Sequence, residues 1–468
     1  RDKWWPGTPA YIETQKQITF ETAIREARDT LRQGGWCFVP LHADTRGRLY
    51  AIPHFSFTRE DYIRGLFLFR DGERIGEDGL SWLKAHVAKC ADGWGDIKTK
   101  HLDLEGRAAW AETNVKRLYQ IAEAVERCEP LPKSVPKLHD EGVQFLAACL
   151  ELKLADNNPD FKTHLPVAFD GTCSGLQHLS ALTRCEREGL LCNLVPTGER
   201  GDLYQVIAKI TSETRKVAKQ PCISFFYGSA PGCWTDVDKE GRPLINKKGE
   251  PRWMAQSGMI KEMLKFLKEE KLSTENVTKR VRAIYKAIMR TIPQAAKTQV
   301  FLRKLAKACA DGSRKPLSWT TPLGLPVVNY YYEPKYKTTD TRLGRSRKQA
   351  RHIVGYDLED MTSKAHTAAA ANFIHSLDAA HMHMVANAAS REGIVMVGVH
   401  DSFNCLASRA RRFHRIVGEQ FRDLHQTDWL RRLLQSVRRD YRVTTNLELP
   451  EHGTLDLDGV PLTFFAYS

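Results

Sequence analysis

No uninterrupted apolar run in the 468 residues approaches the roughly 18 that mark a membrane-spanning helix, so no such span is expected. No two of the 11 cysteines, at positions 37, 90, 128, 149, 173, 185, 192, 222, 233, 309 and 405, stand at Cys-x-x-Cys spacing. An odd, scattered set argues against a zinc site and a disulfide framework, and for free thiols in a reducing compartment. There is no internal repeat and no long low-complexity linker, which suits one lobed enzyme better than a string of modules. Acidic residues are in deficit, 56 Asp and Glu against 70 Lys and Arg, for a formal charge of +14. That excess points to a polyanionic partner, most often nucleic acid, although a solubilising surface has the same composition. The chain opens on Arg1 and shows no signal-peptide pattern, so an N-terminally shortened piece of a longer protein is expected. What is present, 42% hydrophobic and 27% charged residues, is ordinary globular composition with length enough for a large core.

Hydrophobic periodicity places helices at about 20–32, 79–93, 107–128, 138–153, 202–218, 259–271, 274–290, 294–309, 363–390 and through the arginine-rich 408–440. Apolar runs read as strands at Cys37–Leu41, Leu49–Ile52, Leu165–Phe169, Ile394–Val399 and Phe403–Leu406, with a further turn between strands at 319–328. The charged stretch 235–253 reads as an exposed hairpin or loop. The segment 335–351 carries seven cations, among them Arg342, Arg345, Arg347 and Lys348, against the single Asp340.

Two aspartates end apolar strands. Asp401 follows Val399-His400 and precedes Ser402-Phe403, a strand–turn–strand pattern that holds one carboxylate at a hairpin tip. Alone it reads as an ordinary turn aspartate. Asp170 ends the strand Leu165–Phe169 and precedes Gly171-Thr172-Cys173-Ser174-Gly175, which opens a helix. Carboxylates on neighbouring strand ends make an oxygen-rich pocket of the kind Mg²⁺ prefers, and paired ions clamp the attacking and leaving oxygens of a phosphoryl transfer. A third element is Arg215-x-x-x-Lys219, followed by Tyr227-Gly228. Positions i and i+4 share a helix face, so Arg215 and Lys219 project together as a polyphosphate clamp needs. A solvated basic face has the same spacing. Tyr227 is placed to pack on a base or sugar, and Gly228 to end the helix. Pro221 must kink that helix or lie in its first turn. Asn372, His375 and Ser376 form one polar stripe on a small-residue helix.

Phe169-Asp170-Gly171-Thr172-Cys173-Ser174-Gly175-Leu176-Gln177-His178 resembles the first palm motif of the single-subunit DNA-dependent RNA polymerases of phages and mitochondria. The Arg215…Lys219…Tyr227-Gly228 stretch resembles their fingers helix, and His400-Asp401-Ser402-Phe403 their second palm motif. Further matches are Asp44-x-Arg46-Gly47-Arg48-x-Tyr50, Trp319-x-Thr321-Pro322-x-Gly324-x-Pro326, Asn372-Phe373-Ile374-His375-Ser376-x-Asp378 and the closing Phe464-Phe465-Ala466-Tyr467-Ser468. They run in family order over nearly the whole chain.

The resemblance implies an α+β, right-hand polymerase fold with an antiparallel palm sheet and mostly helical fingers. Residues 1–35 would be the end of a thumb, 36–198 and 376–468 the two parts of the palm with a C-terminal foot, and 199–375 the fingers, with a basic specificity-type hairpin at about 330–360. It implies two Mg²⁺ ions on Asp170 and Asp401, with the Gly171 carbonyl as an extra ligand. Arg215 and Lys219 would hold the triphosphate, with Lys219 protonating pyrophosphate. Tyr227 and His375 would favour ribose. Asp44, Arg46, Arg48 and Tyr50 would line the nucleic-acid channel. Arg342, Arg345, Arg347 and Lys348 would contact DNA, and Gly228 and His400 would support the site. The implied partners of this monomer are a double-stranded DNA template with its promoter, nascent RNA and nucleoside triphosphates, with no membrane. The compact spacing between Asp170 and Lys219 leans toward the cytoplasm of a phage-infected host, with the mitochondrion as the alternative. Two rivals remain: a family-A-like DNA polymerase, and an inactive nucleic-acid-binding fragment. Against the first, Ser402 stands where the DNA-making relatives have glutamate, and Gly175 where they place a bulky glutamate that blocks a 2′-hydroxyl.

Overall fold

A computed structural model gives the fold. It describes every residue except 1–8, 93, 95–97, 132–141, 157, 159, 232, 236–252, 257, 344–345, 362–363 and 442–445. At its centre is a three-stranded antiparallel sheet in the spatial order Met396–Val399, Ser402–Leu406, Pro166–Asp170. Ser402 lies opposite Asp170, Phe403 opposite Phe169, and Cys405 opposite Val167. The last four are buried. Successive strand residues face opposite sides, so Phe403–Phe169 and Cys405–Val167 stack as cross-strand pairs on the core face. The intervening residues are left part-exposed. A one-residue slip would turn both phenylalanines out of the core, which fixes the register that aligns the two aspartates.

Helices pack around this sheet. Gly76–Cys90 lies against the Asp170 strand. The alanine-rich helix Ala369–Arg391 runs between Ser174–Thr183 and Ala410–His425. It buries Ala369, Ala370, Ala379, Ala380 and Ala389, small side chains that let neighbouring helices approach closely. No helix of the described residues is long and apolar enough to cross a membrane. The remaining sheets are two-stranded and antiparallel, so the chain is α+β, as expected.

Several boundaries differ from the sequence reading. The strand expected at 37–41 begins at Leu41 and pairs with Leu49–Ala51, while Cys37 and Phe38 are exposed outside regular structure. The helix expected over 202–218 is two. Leu203–Thr211 ends at Ser212, whose φ of 54° is left-handed. Thr214 then caps Arg215–Phe226 by accepting the Val217 amide. Asn114 divides the helix expected at 107–128. Asp428 caps a separate Trp429–Asp440 within the expected 408–440. In each case a side chain that bonds the backbone, or a left-handed residue, ends an apolar pattern that periodicity alone would continue. Cys233–Thr235 pairs with Trp253–Gln256, and the charged stretch between them lies outside the described residues. The basic segment forms the long hairpin Tyr332–Leu343 with Ser346–Met361. Its side chains at Arg342, Arg345, Arg347 and Lys348 lie outside the described residues.

Candidate active site

Antiparallel pairing of the Ser402 and Asp170 strands brings the two aspartates together. The Gly171 amide donates to the Asp401 carbonyl at 3.0 Å. The turn that presents Asp401 is tight, with His400 held at φ 56°. The last residues brace the same strand end. The Thr172 amide donates to the Ala466 carbonyl at 3.1 Å and the Ser468 amide to the Asp170 carbonyl at 3.2 Å. Both carboxylates open into a cleft of about 480 Å³, whose lining includes Gly171, Arg215, Lys219, Tyr227 and His375. Residues far apart in sequence thus line one cavity.

The two carboxylates differ electrostatically. Asp170 is flanked by Lys89, whose ammonium lies 2.6 Å from Oδ2. Burial would push its carboxyl up, but Lys89 and the Ser402 hydroxyl hold it well below the usual range. Asp401 is pushed up to about 6, by burial first and then by the negative charge of Asp378, against a hydrogen bond from Ser174; Asp170 adds to the rise. Among the described residues it has no ion-pair partner within 4 Å.

The opposite wall is cationic. Arg215 and Lys219 face the cleft from the first two turns of their helix, while Lys216 between them is exposed. Arg215 is engaged: its Nε donates to Asp202 Oδ2 at 2.5 Å and its guanidinium lies 5.3 Å from the Tyr204 ring centre. Lys219 lies 5.9 Å from the same ring. Pro221 sits inside the helix, in its second turn, and not in the first. Tyr227 is the C-cap, 49% exposed, with its ring 4.9 Å from that of His375. Gly228 has φ 77°, and a Cβ there would lie 2.6 Å from the Thr367 carbonyl oxygen. The glycine is therefore required by backbone conformation and by close approach.

The Asp44–Tyr50 turn reaches the cleft from a third side. Asp44 itself is structural: Oδ1 accepts the amides of Arg46 and Arg48, and Oδ2 the Arg46 guanidinium. Arg46 in turn donates to His375 Nδ1 at 2.7 Å. Arginine has no acceptor, so Nδ1 is unprotonated and the His375 proton sits on Nε2, a buried atom with no hydrogen-bond partner. Burial, with Arg48 and Arg46 nearby, pushes His375 down to about 3, so it is neutral. Arg48 is clamped by Asp378, at 2.7 Å, and Tyr50 packs edge-on against His400 at 5.0 Å. The polar stripe on the 369–391 helix divides in function. Ser376 accepts from Trp319 Nε1 at 2.9 Å and Asn372 donates to Asn329 at 2.8 Å, so those two anchor the strand pair Ser318–Thr320 and Pro326–Val328 and its flank, and His375 alone faces the cleft. At Gly175 a Cβ would meet Phe226 at 2.9 Å. The absent side chain makes room for the Arg215 helix, a different reason from the ribose space inferred from sequence.

Sequence reasoning missed Lys89, Lys100, Arg200 and Tyr204, of which Lys100 and Arg200 fall outside every expected element; it quoted Ser174 and Asp378 without giving either a role. The cleft lining includes all of these. Lys89 had a readable signal, a cation inside the buried run Ala85–Cys90.

The sequence profile of the DNA-dependent RNA polymerase family matches residues 73–220 and 211–456, most of the chain and all of the cleft except the Asp44–Tyr50 turn and the last residues. The chain belongs to that family. It is similar to "DNA-directed RNA polymerase 2B, chloroplastic/mitochondrial" of Nicotiana tabacum, 31% identical over 98% of this chain and 45% of the relative. It is also similar to "DNA-directed RNA polymerase 1, mitochondrial" of Arabidopsis thaliana, 31% identical over 94% of this chain and 45% of the relative. The chain spans less than half the length of these relatives. Their names are organellar, on the side of the mitochondrial alternative; they give no support to the phage-infected host that the compact spacing favoured.

Proposed function

We propose that this chain is the catalytic portion of a single-subunit DNA-directed RNA polymerase, a nucleotidyltransferase that builds RNA from nucleoside triphosphates on a DNA template. The observation that carries the reading is the juxtaposition of Asp170 and Asp401, joined through the Gly171 amide, in a cleft walled by Arg215 and Lys219. Family membership supports it. The matching architecture is a cupped right hand, with 36–198 and 376–468 as palm, 199–375 as fingers and 1–35 as the end of a thumb. The long hairpin at 332–361 is then the promoter-reading element, with Arg342, Arg345, Arg347 and Lys348 on DNA. The relatives' names, mitochondrial in one case and chloroplastic/mitochondrial in the other, favour work in an organelle such as the mitochondrion; the template in this reading is double-stranded DNA and the product nascent RNA.

The donor set fits Mg²⁺. Asp170, Asp401 and the Gly171 carbonyl are hard oxygen donors, and the raised carboxyl of Asp401 marks a spot short of positive charge. Two such ions, when bound, activate the attacking hydroxyl and neutralise the leaving pyrophosphate. The chain's own residues do the rest. Arg215 and Lys219, with Lys100 and Arg200 beside them, hold the triphosphate, and Lys219 delivers a proton to pyrophosphate. The Tyr227 hydroxyl and the unpartnered His375 Nε2–H select ribose. Arg48, fixed by Asp378, sits at the edge of the reacting centre. Ser402 favours RNA over DNA synthesis: its hydroxyl bonds Asp170 where a glutamate would add a third carboxylate.

Primer extension by the full-length protein on a DNA template, with Mg²⁺ and ribonucleotides, tests this. Extension that Asp401→Asn abolishes supports it. No extension by the full-length protein, or equal extension by the variant, overturns it.

A further inference from the structure

Asp170 is approached from two sides. Its side chain is 44% exposed toward the cleft, and behind it stands Lys89, 5% exposed, with Nζ 2.6 Å from Oδ2. The ammonium is pinned there by a second bond, to the Ala168 carbonyl at 2.9 Å on the same strand. The helix Gly76–Cys90 that carries Lys89 packs against that strand, so the cation reaches the carboxylate from the core side of the cleft wall. Its neighbour His86, pushed down to about 3 by burial and then by Lys89, stays neutral and adds no charge. One carboxylate of the pair thus carries a tethered monovalent cation, while Asp401 has no cationic partner among the described residues.

We propose that Lys89 is a resident counter-cation of the carboxylate site, one that competes electrostatically with divalent ions for Asp170 and so sets how much ion the enzyme requires. The proposal rests on the reading of Asp170 and Asp401 as the ion-binding pair. Lys89, bonded to the Ala168 carbonyl and 2.6 Å from Oδ2, holds the Asp170 side chain in place, which leaves the site preformed. Its charge also repels an incoming divalent ion across a single carboxylate, in a partly desolvated setting where charges a few ångströms apart interact strongly. Removing the charge and keeping the volume therefore tightens ion binding.

The test is direct binding of Mn²⁺ at pH 8 by the whole chain, followed by electron paramagnetic resonance of the free ion. Lys89→Met and Lys89→Gln are expected to bind at least ~10-fold tighter than the parent, and the charge-retaining Lys89→Arg within about 3-fold. The same measurement is made on Asp170→Asn. Weaker binding in Asp170→Asn together with unchanged or weaker binding in both neutral Lys89 variants overturns the role of Lys89 and leaves the carboxylate reading standing. Unchanged binding in Asp170→Asn sinks the carboxylate reading and the proposal with it. If Lys89→Met loses its far-ultraviolet circular dichroism, Lys89→Gln, which keeps a donor for the Ala168 carbonyl, carries the test.

Discussion

The Gly171 amide donates to the Asp401 carbonyl at 3.0 Å, which ties the ends of two strands that the sequence places in different halves of the chain. The carboxylates are held by backbone, so neutralising one should remove chemistry without disturbing the sheet. Asp401→Asn is expected to lower nucleotide addition about 10³-fold or more. Its thermal midpoint should stay level or rise, because burial and then Asp378 already push this carboxyl up to about 6. Single-turnover extension and metal-free melting curves at pH 8 check the two halves. A variant that loses activity together with its midpoint would count against this account.

Arg48 and Asp378 form a buried ion pair, their side chains 11% and 3% exposed at 2.7 Å. Breaking it from one side strands a charge. Arg48→Met is expected to cost roughly 3–5 kcal/mol in urea unfolding. Adding Asp378→Asn should recover most of that loss, since a neutral amide needs no cation. Additive losses in the double-mutant cycle would show that the pair is not coupled.

Gly228→Ala tests the end of the Arg215 helix. A methyl there meets the Thr367 carbonyl oxygen at 2.6 Å from a backbone at φ 77°. Both the conformation and the contact oppose it, for a loss of about 1–3 kcal/mol. Because Tyr227 is the preceding residue, the KM for nucleotides should rise as well. Wild-type stability in this variant would mean that the turn relaxes freely.

Much of this site was legible because its chemistry sits at element ends. Asp170 and Asp401 each close an apolar strand, and the 3.6-residue period put Arg215 and Lys219 on one face. The sequence did not show what those groups are paired with. Asp202 ends one loop and meets Arg215; Lys89 comes from a separate helix behind the sheet; Arg46 reaches His375 across the fold. Such partners are set by tertiary packing, which local pattern does not encode. Asp44 and Gly175 likewise have partners that residue type did not announce: Asp44 bonds its own turn, and Gly175, on the cleft lining, also admits Phe226. Helix breaks at Ser212 and Asn114 were missed because polar residues can either continue a helical face or bond the backbone and end it.

Tyr227→Phe keeps the ring against His375, 4.9 Å away, and removes only the hydroxyl. Discrimination between ribo- and deoxyribonucleotides, read as a ratio of kcat/KM values, should fall about 10-fold, the worth of one good hydrogen bond. The rate with ribonucleotides should change little. Unchanged discrimination would remove Tyr227 from sugar selection.

Acid sensitivity should carry the mark of buried neutral histidines. Burial pushes both His381 and His414 down to about 4, although the Val417 and Phe464 carbonyls favour their protonated forms. In the unfolded chain each titrates near 6.5, so the unfolded state takes up protons that the folded state refuses. Their contribution is complete above about pH 6.5 and is lost progressively as pH falls toward 4, roughly 1–2 kcal/mol each by pH 5. Glu188 and Asp401, whose carboxyls burial pushes up to about 6, act in the opposite sense over the same window. The diagnostic is therefore a difference between proteins and not the absolute slope. His414 stacks on Phe464 at 5.8 Å with a 27° interplanar angle, a setting that accepts another aromatic ring. His414→Phe should lose less stability than the parent between pH 7 and pH 5, by the amount one histidine contributes. Urea midpoints at the two pH values measure this, and an identical acid loss in both proteins would show that His414 titrates normally in the fold.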